Sequence, residues 1–274
     1  SHPHPPFQPL EEFLSIYDEV PEPHVPQLPD NPNAYERWMI TYNGLDHTEL
    51  SGKEVANARR CYYALVSYVD SMVGQILDEL DRQGLADSTM LVFSSDHGEM
   101  LGDHGLWYKR TYHEESIRVP LLIRMPGGGG RGRRVDRVVS LVDVAATILD
   151  AAGVGGTPEM GMDGDSLLPL VRGGEPQWKD TAVVEYFGNG AVEPMFGIRK
   201  GPYKLIEVPD TCTLLFNLAE DPHELNNLAG NATHSELVDE LRGELLGDLD
   251  VARLRETIVH RQRLRLKLNS LYGQ

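Results

Sequence analysis

The sequence lacks any long apolar run and contains few cysteines. No stretch of about 18 apolar residues occurs, so no transmembrane helix is expected. The first residue is Ser1 rather than Met, inside what reads as mid-domain sequence, so the presence of a signal peptide cannot be assessed from it. The two cysteines, Cys61 and Cys212, have no CxxC or metal-type spacing. We expect free buried thiols in a reducing compartment, hence a cytoplasmic rather than periplasmic protein, with one disulfide as the alternative.

Positive charge is also scarce. The chain has 25 Lys and Arg against 42 Asp and Glu, a net charge of −17. Such a field repels nucleic acid and anionic membranes, and a site for an anionic substrate would have to be locally positive. The 41% apolar content is typical of a globular core. A chain of 274 residues allows one large α/β domain, or one domain and a smaller one.

Chemically active residues are concentrated between two apolar runs, 91–95 and 119–123. The first run reads as a buried strand that ends in Asp96-His97-Gly98, and ligands of open α/β sheets bind at such strand ends. Asp96 offers a hard oxygen and His97 a neutral nitrogen to a divalent cation. Lys109 is a compact charge suited to a sulfate or phosphate oxygen. The segment thus predicts a metal and an anion site, the alternative being a solvated loop with ordinary ion pairs.

The remaining pattern predicts an α/β region followed by an α+β region. Apolar residues at helical spacing and a Ser51/Glu54 capping box predict a helix over 51–82, which leads into the first strand. A second helix is predicted over 138–153. Short runs typical of an antiparallel meander follow at 181–187, 194–199, 203–208 and 213–217. A further helix is predicted over 235–246, with a boundary between the two regions near residue 175.

The segment SSDHGEMLGDHGLWYKRTYHEESIRVPLLIRMPG resembles the second metal-site segment of the sulfatases, in the alkaline-phosphatase superfamily. The resemblance implies an alkaline-phosphatase-like α/β/α sandwich. It also implies that Asp96 and His97 bind a metal, usually calcium with manganese or magnesium as alternatives, and that Lys109 contacts the sulfate. Residues 3–7 match the family pattern PHxPF, which implies that His4 binds or protonates the ester. No role is assigned to His113.

Two further segments carry the resemblance. EYFGNGAVEPMFGIR resembles the choline sulfatases, which implies that Glu185 faces a quaternary ammonium group, with Trp107, Tyr186 and Phe187 as candidate ring partners. The alternative is an edge-strand glutamate in solvent. FNLAEDPHELNNLA resembles a structural sulfatase segment.

The C/S-x-P-x-R motif, whose Cys (matured to formylglycine) or Ser is the sulfatase nucleophile, is absent from this sequence. We therefore expect a fragment of a sulfatase, inactive alone, with formylglycine only in an N-terminal segment that would be its partner. Residues 1–175 would be the C-terminal part of the α/β domain with half of the site, 176–249 a small antiparallel-sheet and helix subdomain, and 250–274 a basic amphipathic tail helix that builds a homo-oligomer. The alternatives are a phosphonate or phosphodiester hydrolase of the same superfamily, and a non-catalytic binding or assembly module.

Overall fold

Two short helices precede the longest helix of the molecule. The computed structural model describes residues 2–155, 161–174 and 177–272. α1 (Glu11–Leu14) packs on α3 (Gly52–Arg82), and α2 (Ala34–Tyr42) lies between them in the chain. The predicted capping box at the start of α3 is confirmed: the Glu54 carboxylate accepts a 2.8 Å hydrogen bond from the Ser51 N–H, and the Ser51 hydroxyl accepts one from the Glu54 N–H. These bonds satisfy donors that a helix start leaves free.

Two strands fix both ends of the predicted site segment. β1 (Leu91–Ser94) and β2 (Leu121–Arg124) pair antiparallel, with Leu91 opposite Arg124 and Ser94 opposite Leu121. The segment between them contains a 3-10 turn (Asp103–Gly105) and the single-turn helix α4 (Glu114–Ile117). Because its two ends leave neighbouring strands of one ladder, this segment is held as a closed loop.

The second half of the α/β region contains two helices. α5 (Leu141–Ala151) occupies the centre of the predicted 138–153 helix, and α6 (Leu168–Val171) follows it. Asp143 on α5 is completely buried, and the Lys179 Nζ donates to it at 2.8 Å. The predicted boundary at residue 175 lies outside the described residues, and the division into 1–175, 176–249 and 250–274 stays a prediction.

The four predicted short strands form a meander. β3 (Thr181–Tyr186), β4 (Met195–Lys200), β5 (Tyr203–Val208) and β6 (Cys212–Asn217) pair antiparallel in chain order. Side chains alternate between faces along a strand, so each face has its own core. Ile198, Leu205 and Leu215 face Val238 and Leu241 of α7 (Ser235–Leu246). The opposite face covers α2 and the site segment with a core of Tyr35, Met39, Tyr112, Met195, Ile206, Val208, Leu214 and Phe216. One face of this sheet is therefore built against the predicted active site.

The chain ends in a long helix, α8 (Val251–Tyr272). Near its start, Arg255 is paired with Glu193 and lies 3.5 Å from the Asp210 carboxylate. Farther along, Leu264, Leu266, Leu268 and Leu271 are exposed. None of the described helices is both long and apolar enough to cross a bilayer. Cys61 and Cys212 are both free, as predicted, but each is half-buried rather than buried.

Candidate active site

Asp96 and His97 follow the end of β1 and present donor atoms to the same point. The Asp96 Oδ2 lies 3.5 Å from the His97 Nε2, while its Oδ1 accepts a hydrogen bond from the His97 N–H at 3.0 Å. Partial burial raises the pKa of the Asp96 carboxyl, but the His97 charge and the backbone N–H bonds outweigh it, so the pKa is lowered. Asp96 is therefore held as a carboxylate, the form that binds a cation.

The tautomer of His97 fits a metal ligand. Its Nδ1 lies 2.8 Å from the Gly98 carbonyl oxygen, which can only accept a hydrogen bond. Nδ1 is thereby assigned a proton, so that Nε2, on the Asp96 side, is the nitrogen that a neutral ring would offer to a metal. No group of three or more His, Cys, Asp or Glu side chains arranged to hold a metal is found in the described part of the chain. Asp96 and His97 suit a divalent ion by donor type. They would supply two of its ligands, and the ion would need several more oxygen or nitrogen donors.

Gly98 joins the backbone of Asp96 and His97 to α4. Its N–H donates to the Ser116 carbonyl at 2.8 Å. A Cβ at this position would overlap the carbonyl oxygen of Glu115, so only glycine permits the approach. The backbone that carries His97 is consequently in direct contact with α4.

Lys109 and His4 meet despite their separation in the chain. The Lys109 Nζ lies 3.0 Å from the His4 Nε2, and the His4 Nδ1 lies 2.7 Å from the Pro5 carbonyl oxygen. The carbonyl assigns the His4 proton to Nδ1, so Nε2 accepts from the ammonium group. The turn that presents Lys109 is tightly bent, because Tyr108 and Arg110 on either side of it have φ of 69° and 86°.

Glu99 connects the two halves of the site. One of its carboxylate oxygens accepts the Tyr108 N–H and, at 3.5 Å, the Leu101 N–H. The pKa of Glu99 is raised, because desolvation outweighs the lowering effect of these N–H bonds and of the charges of Lys109 and His97. The Glu99 carboxylate is thus anchored to the turn that presents Lys109. Sequence reasoning gave Glu99 no role.

The two predicted substrate-binding residues have different surroundings. Glu185 is exposed near the end of the edge strand β3. The pKa of Tyr112, on the site segment, is raised mainly by desolvation and next by the negative charge of Glu185. Trp107 is only 8% exposed and lies against Gly102. Its ring fills the inside of the loop, so contact with a substrate stays a prediction for both residues.

A buried polar network that sequence reasoning did not predict lies beneath this loop. The rings of His104 and His113 stack at 3.8 Å. The His113 Nδ1 lies 3.6 Å from Glu224, whose other oxygen lies 2.6 Å from the Lys204 Nζ. Burial raises the pKa of Glu224, but His113 and Lys204 outweigh it and lower the pKa to about 2. Glu224 is thus ionised in the interior.

One signal of this network was present in the sequence. Along β5, alternation places Lys204 on the same face as Ile206 and Val208, which are buried core residues. A lysine at an inward position is rarely left unpaired. The pattern therefore called for an acidic partner, although it did not identify Glu224.

The site lies in a chain that matches known families along most of its length. A family model described as Sulfatase matches residues 1–154, and one described as N-sulphoglucosamine sulphohydrolase, C-terminal, matches residues 102–250. A choline-sulfatase of Rhizobium meliloti (strain 1021) is 36% identical over 84% of this chain and 45% of its own length. The multifunctional alkaline phosphatase superfamily protein PehA of Trinickia caryophylli is 32% identical over 86% of this chain and 51% of its own length.

A solved structure gives the same result for the fold. The phosphonate monoester hydrolase of Agrobacterium radiobacter superposes with a TM-score of 0.71 at 27% identity, covering 89% of this chain and 54% of that chain. The expected alkaline-phosphatase-like fold is thereby confirmed. The chain spans about half the length of the curated relatives that it matches. By sequence and by fold, it belongs to the sulfatase family.

Proposed function

We propose that this chain supplies half of the active site of a metal-dependent sulfatase that hydrolyses a sulfate monoester. The observation that carries the proposal is the contact between His4, from the start of the chain, and Lys109, on the loop that also carries Asp96 and His97. Glu99, which accepts the Tyr108 N–H, belongs to the same loop. Two cationic or proton-carrying groups beside a carboxylate-imidazole pair suit an anion and a cation bound side by side. In a chain of net charge −17, Lys109 is the positive charge that would face the anionic ester, and a bound divalent ion would add to it.

Each side chain has a distinct role in this proposal. Asp96 and His97 would hold a divalent ion, for which we expect calcium, with manganese or magnesium as alternatives. Such an ion would add positive charge at a sulfate oxygen. Lys109 would donate to another sulfate oxygen and stabilise charge that develops as the ester bond breaks. His4, with its Nδ1–H held by the Pro5 carbonyl, would have to take up a second proton at Nε2, and in that doubly protonated form it would deliver the Nε2 proton to the departing alkoxide.

The nucleophile would come from a C/S-x-P-x-R segment, as formylglycine if the first residue is Cys. The described exposed apolar side chains of the α/β region include Val66, Ile76, Leu122, Val142 and Ile148, which suit packing against such a segment. The exposed leucines of α8 would pair with another copy of the polypeptide. Glu185 would select a cationic substrate such as a choline-type sulfate ester.

The test uses the complete polypeptide, meaning this chain joined to its C/S-x-P-x-R segment. We expect it to release nitrophenol from 4-nitrophenyl sulfate in a metal-dependent manner, and this chain alone to release none. Absence of sulfate turnover by the complete polypeptide, or turnover by this chain alone, contradicts the proposal.

A phosphonate or phosphodiester hydrolase is the second candidate, because the superposed structure from Agrobacterium radiobacter is described as a phosphonate monoester hydrolase. Turnover of bis(4-nitrophenyl) phosphate or of a phenylphosphonate ester, measured beside the sulfate, separates the two. A higher kcat/KM for the phosphorus ester would favour this candidate. A protein that binds these anions and hydrolyses none of them would be a non-catalytic module.

A further inference from the structure

Three consecutive residues of the site segment are held by two side chains, one from β5 and one from the loop after β6. The Lys204 Nζ on β5 donates to the Tyr112 carbonyl at 2.6 Å and to the Glu114 carboxylate at 3.0 Å. Glu224, in the loop after β6, accepts the Glu114 N–H at 2.8 Å and faces His113 between them. The start of α4 is therefore fixed by an ion pair that belongs to a different part of the fold.

This ion pair is shielded from solvent. The side chains of Lys204 and Glu224 are each 1% exposed and lie 2.6 Å apart. Water neither screens the two charges nor replaces a lost partner, so removing either group leaves the other with fewer partners in the interior. Glu224 also has φ of 55°, a backbone conformation that is unfavourable outside glycine and is here maintained by the surrounding contacts.

The contact continues from α4 to the metal pair through backbone atoms alone. Glu114 begins α4, Ser116 in the same turn accepts the Gly98 N–H at 2.8 Å, and the Glu115 carbonyl leaves no space for a Cβ on Gly98. Gly98 directly follows His97. A shift of α4 by a few tenths of an ångström is thus transmitted to the backbone of His97, because no flexible side chain lies between them to absorb it.

We infer that Glu224 and Lys204 are positioning residues of the metal site. Lys204 from β5 and Glu224 from the loop after β6 fix α4, and through α4 they set the geometry of Asp96 and His97. The inference rests on the proposed function, since it concerns the metal that the proposed sulfatase would use. It assigns to the DPHE segment, residues 221–224, an effect on the active site in addition to its part in the fold.

A second buried carboxylate supplies a matched control. Glu207 on β5 is 6% exposed and is bound by Arg242 at 3.2 Å and by the Thr213 hydroxyl at 2.9 Å. These partners lie on α7 and β6, away from α4. Glu207→Gln removes a buried charge from the same sheet without changing a described contact of the site segment, so it measures the effect of lost stability alone.

The experiment measures calcium affinity by titration calorimetry on the complete polypeptide, with thermal unfolding of each variant recorded beside it. We expect Glu224→Gln and Lys204→Met to weaken calcium binding by about ten- to a hundredfold, the range measured for groups that orient metal ligands. Glu224→Asp, which keeps the charge, should recover part of the loss. Glu207→Gln should lower the unfolding temperature and leave calcium affinity within about twofold of wild type, since it touches no group of the site segment.

Two outcomes overturn the inference. In the first, Glu224→Gln and Lys204→Met bind calcium as tightly as Glu207→Gln does. In the second, all variants lose affinity only in proportion to their loss of stability. Failure of the proposed function would look different: the wild-type polypeptide would then bind no divalent ion or turn over no sulfate ester, irrespective of Glu224. If Glu224→Gln does not fold, Glu224→Asp and Lys204→Met still give the comparison with Glu207→Gln.

Discussion

The Nζ of Lys109 lies 3.0 Å from the Nε2 of His4, across 105 positions of sequence. This contact joins the first described residues of the chain to the loop between β1 and β2. In the proposed reaction both groups face the same sulfate. Lys109→Ala in the complete polypeptide should therefore lower kcat/KM for 4-nitrophenyl sulfate by about 10²- to 10³-fold, the effect of removing one donor to a developing negative charge.

The control for this substitution is Lys53→Ala. Lys53 lies in the first turn of α3 and is exposed. The substitution Lys53→Ala therefore removes one positive charge without changing the loop. Its kcat/KM should stay within about twofold of wild type. Equal activities of the two variants would show that Lys109 does not contact the ester.

Gly98→Ala should destabilise the protein by about 1–3 kcal/mol, as overpacking does, because the new methyl group meets the Glu115 carbonyl. Gly74→Ala is the matched change: Gly74 lies within α3, with open space around its Cβ position, and should stabilise by roughly 1 kcal/mol. Urea unfolding of this chain measures both. An unchanged free energy of unfolding in Gly98→Ala would mean that α4 is not in close contact with the backbone that follows Asp96 and His97.

Stability should fall in mild acid because of His104. Desolvation, and then the charge of His113, lowers the pKa of His104 to about 4, against 6.5 for an ordinary histidine; Glu224 and Asp103 act in the opposite direction. Between pH 6.5 and 4, His104 is therefore protonated in the unfolded chain and neutral in the folded chain. The free energy of unfolding should decrease between pH 6.5 and 4, by at most about 1.4 kcal/mol per pH unit from this group.

His104→Asn tests this dependence. Asparagine tolerates the left-handed backbone of His104, with φ of 53°, and does not titrate. The difference in free energy of unfolding between pH 7 and pH 4.5 should be smaller in this variant than in wild type. His47→Asn, at an exposed histidine, should leave the difference unchanged. An unchanged difference in His104→Asn would mean that His104 titrates normally.

Glu185→Gln should change substrate preference rather than overall activity. The carboxylate is exposed on the edge strand β3, near Tyr112, and would be the counter-charge of a quaternary ammonium. We expect kcat/KM for choline sulfate to fall about tenfold, and that for the uncharged ring of 4-nitrophenyl sulfate to stay nearly constant. An equal loss of kcat/KM on both substrates would show that Glu185 does not recognise the cationic group of the substrate.

The regular elements could be predicted from the sequence because their signals are local. The capping box of α3 and the spacing of the four meander strands each depend on residues within a few positions of one another. The pairing of Lys109 with His4 was accessible only through a family resemblance. No local pattern connects positions so far apart.

The interior of the loop could not be predicted for a different reason. Leu101, His104, Tyr108 and Arg110 all adopt positive φ, which residue type alone does not indicate for these side chains. That backbone path leaves Trp107, a candidate ring partner for the group that Glu185 would face, only 8% exposed. It also brings His104 onto His113, a residue to which the sequence gave no role.

The burial of Lys204 has a practical consequence. An amine-reactive reagent cannot reach an ammonium group that is 1% exposed and surrounded by carboxylates, whereas lysines such as Lys53 on the surface react at once. Modification of Lys204 therefore requires the meander to detach from the loop that it supports. The rate at which this single amine is labelled records how often the two parts of the molecule separate.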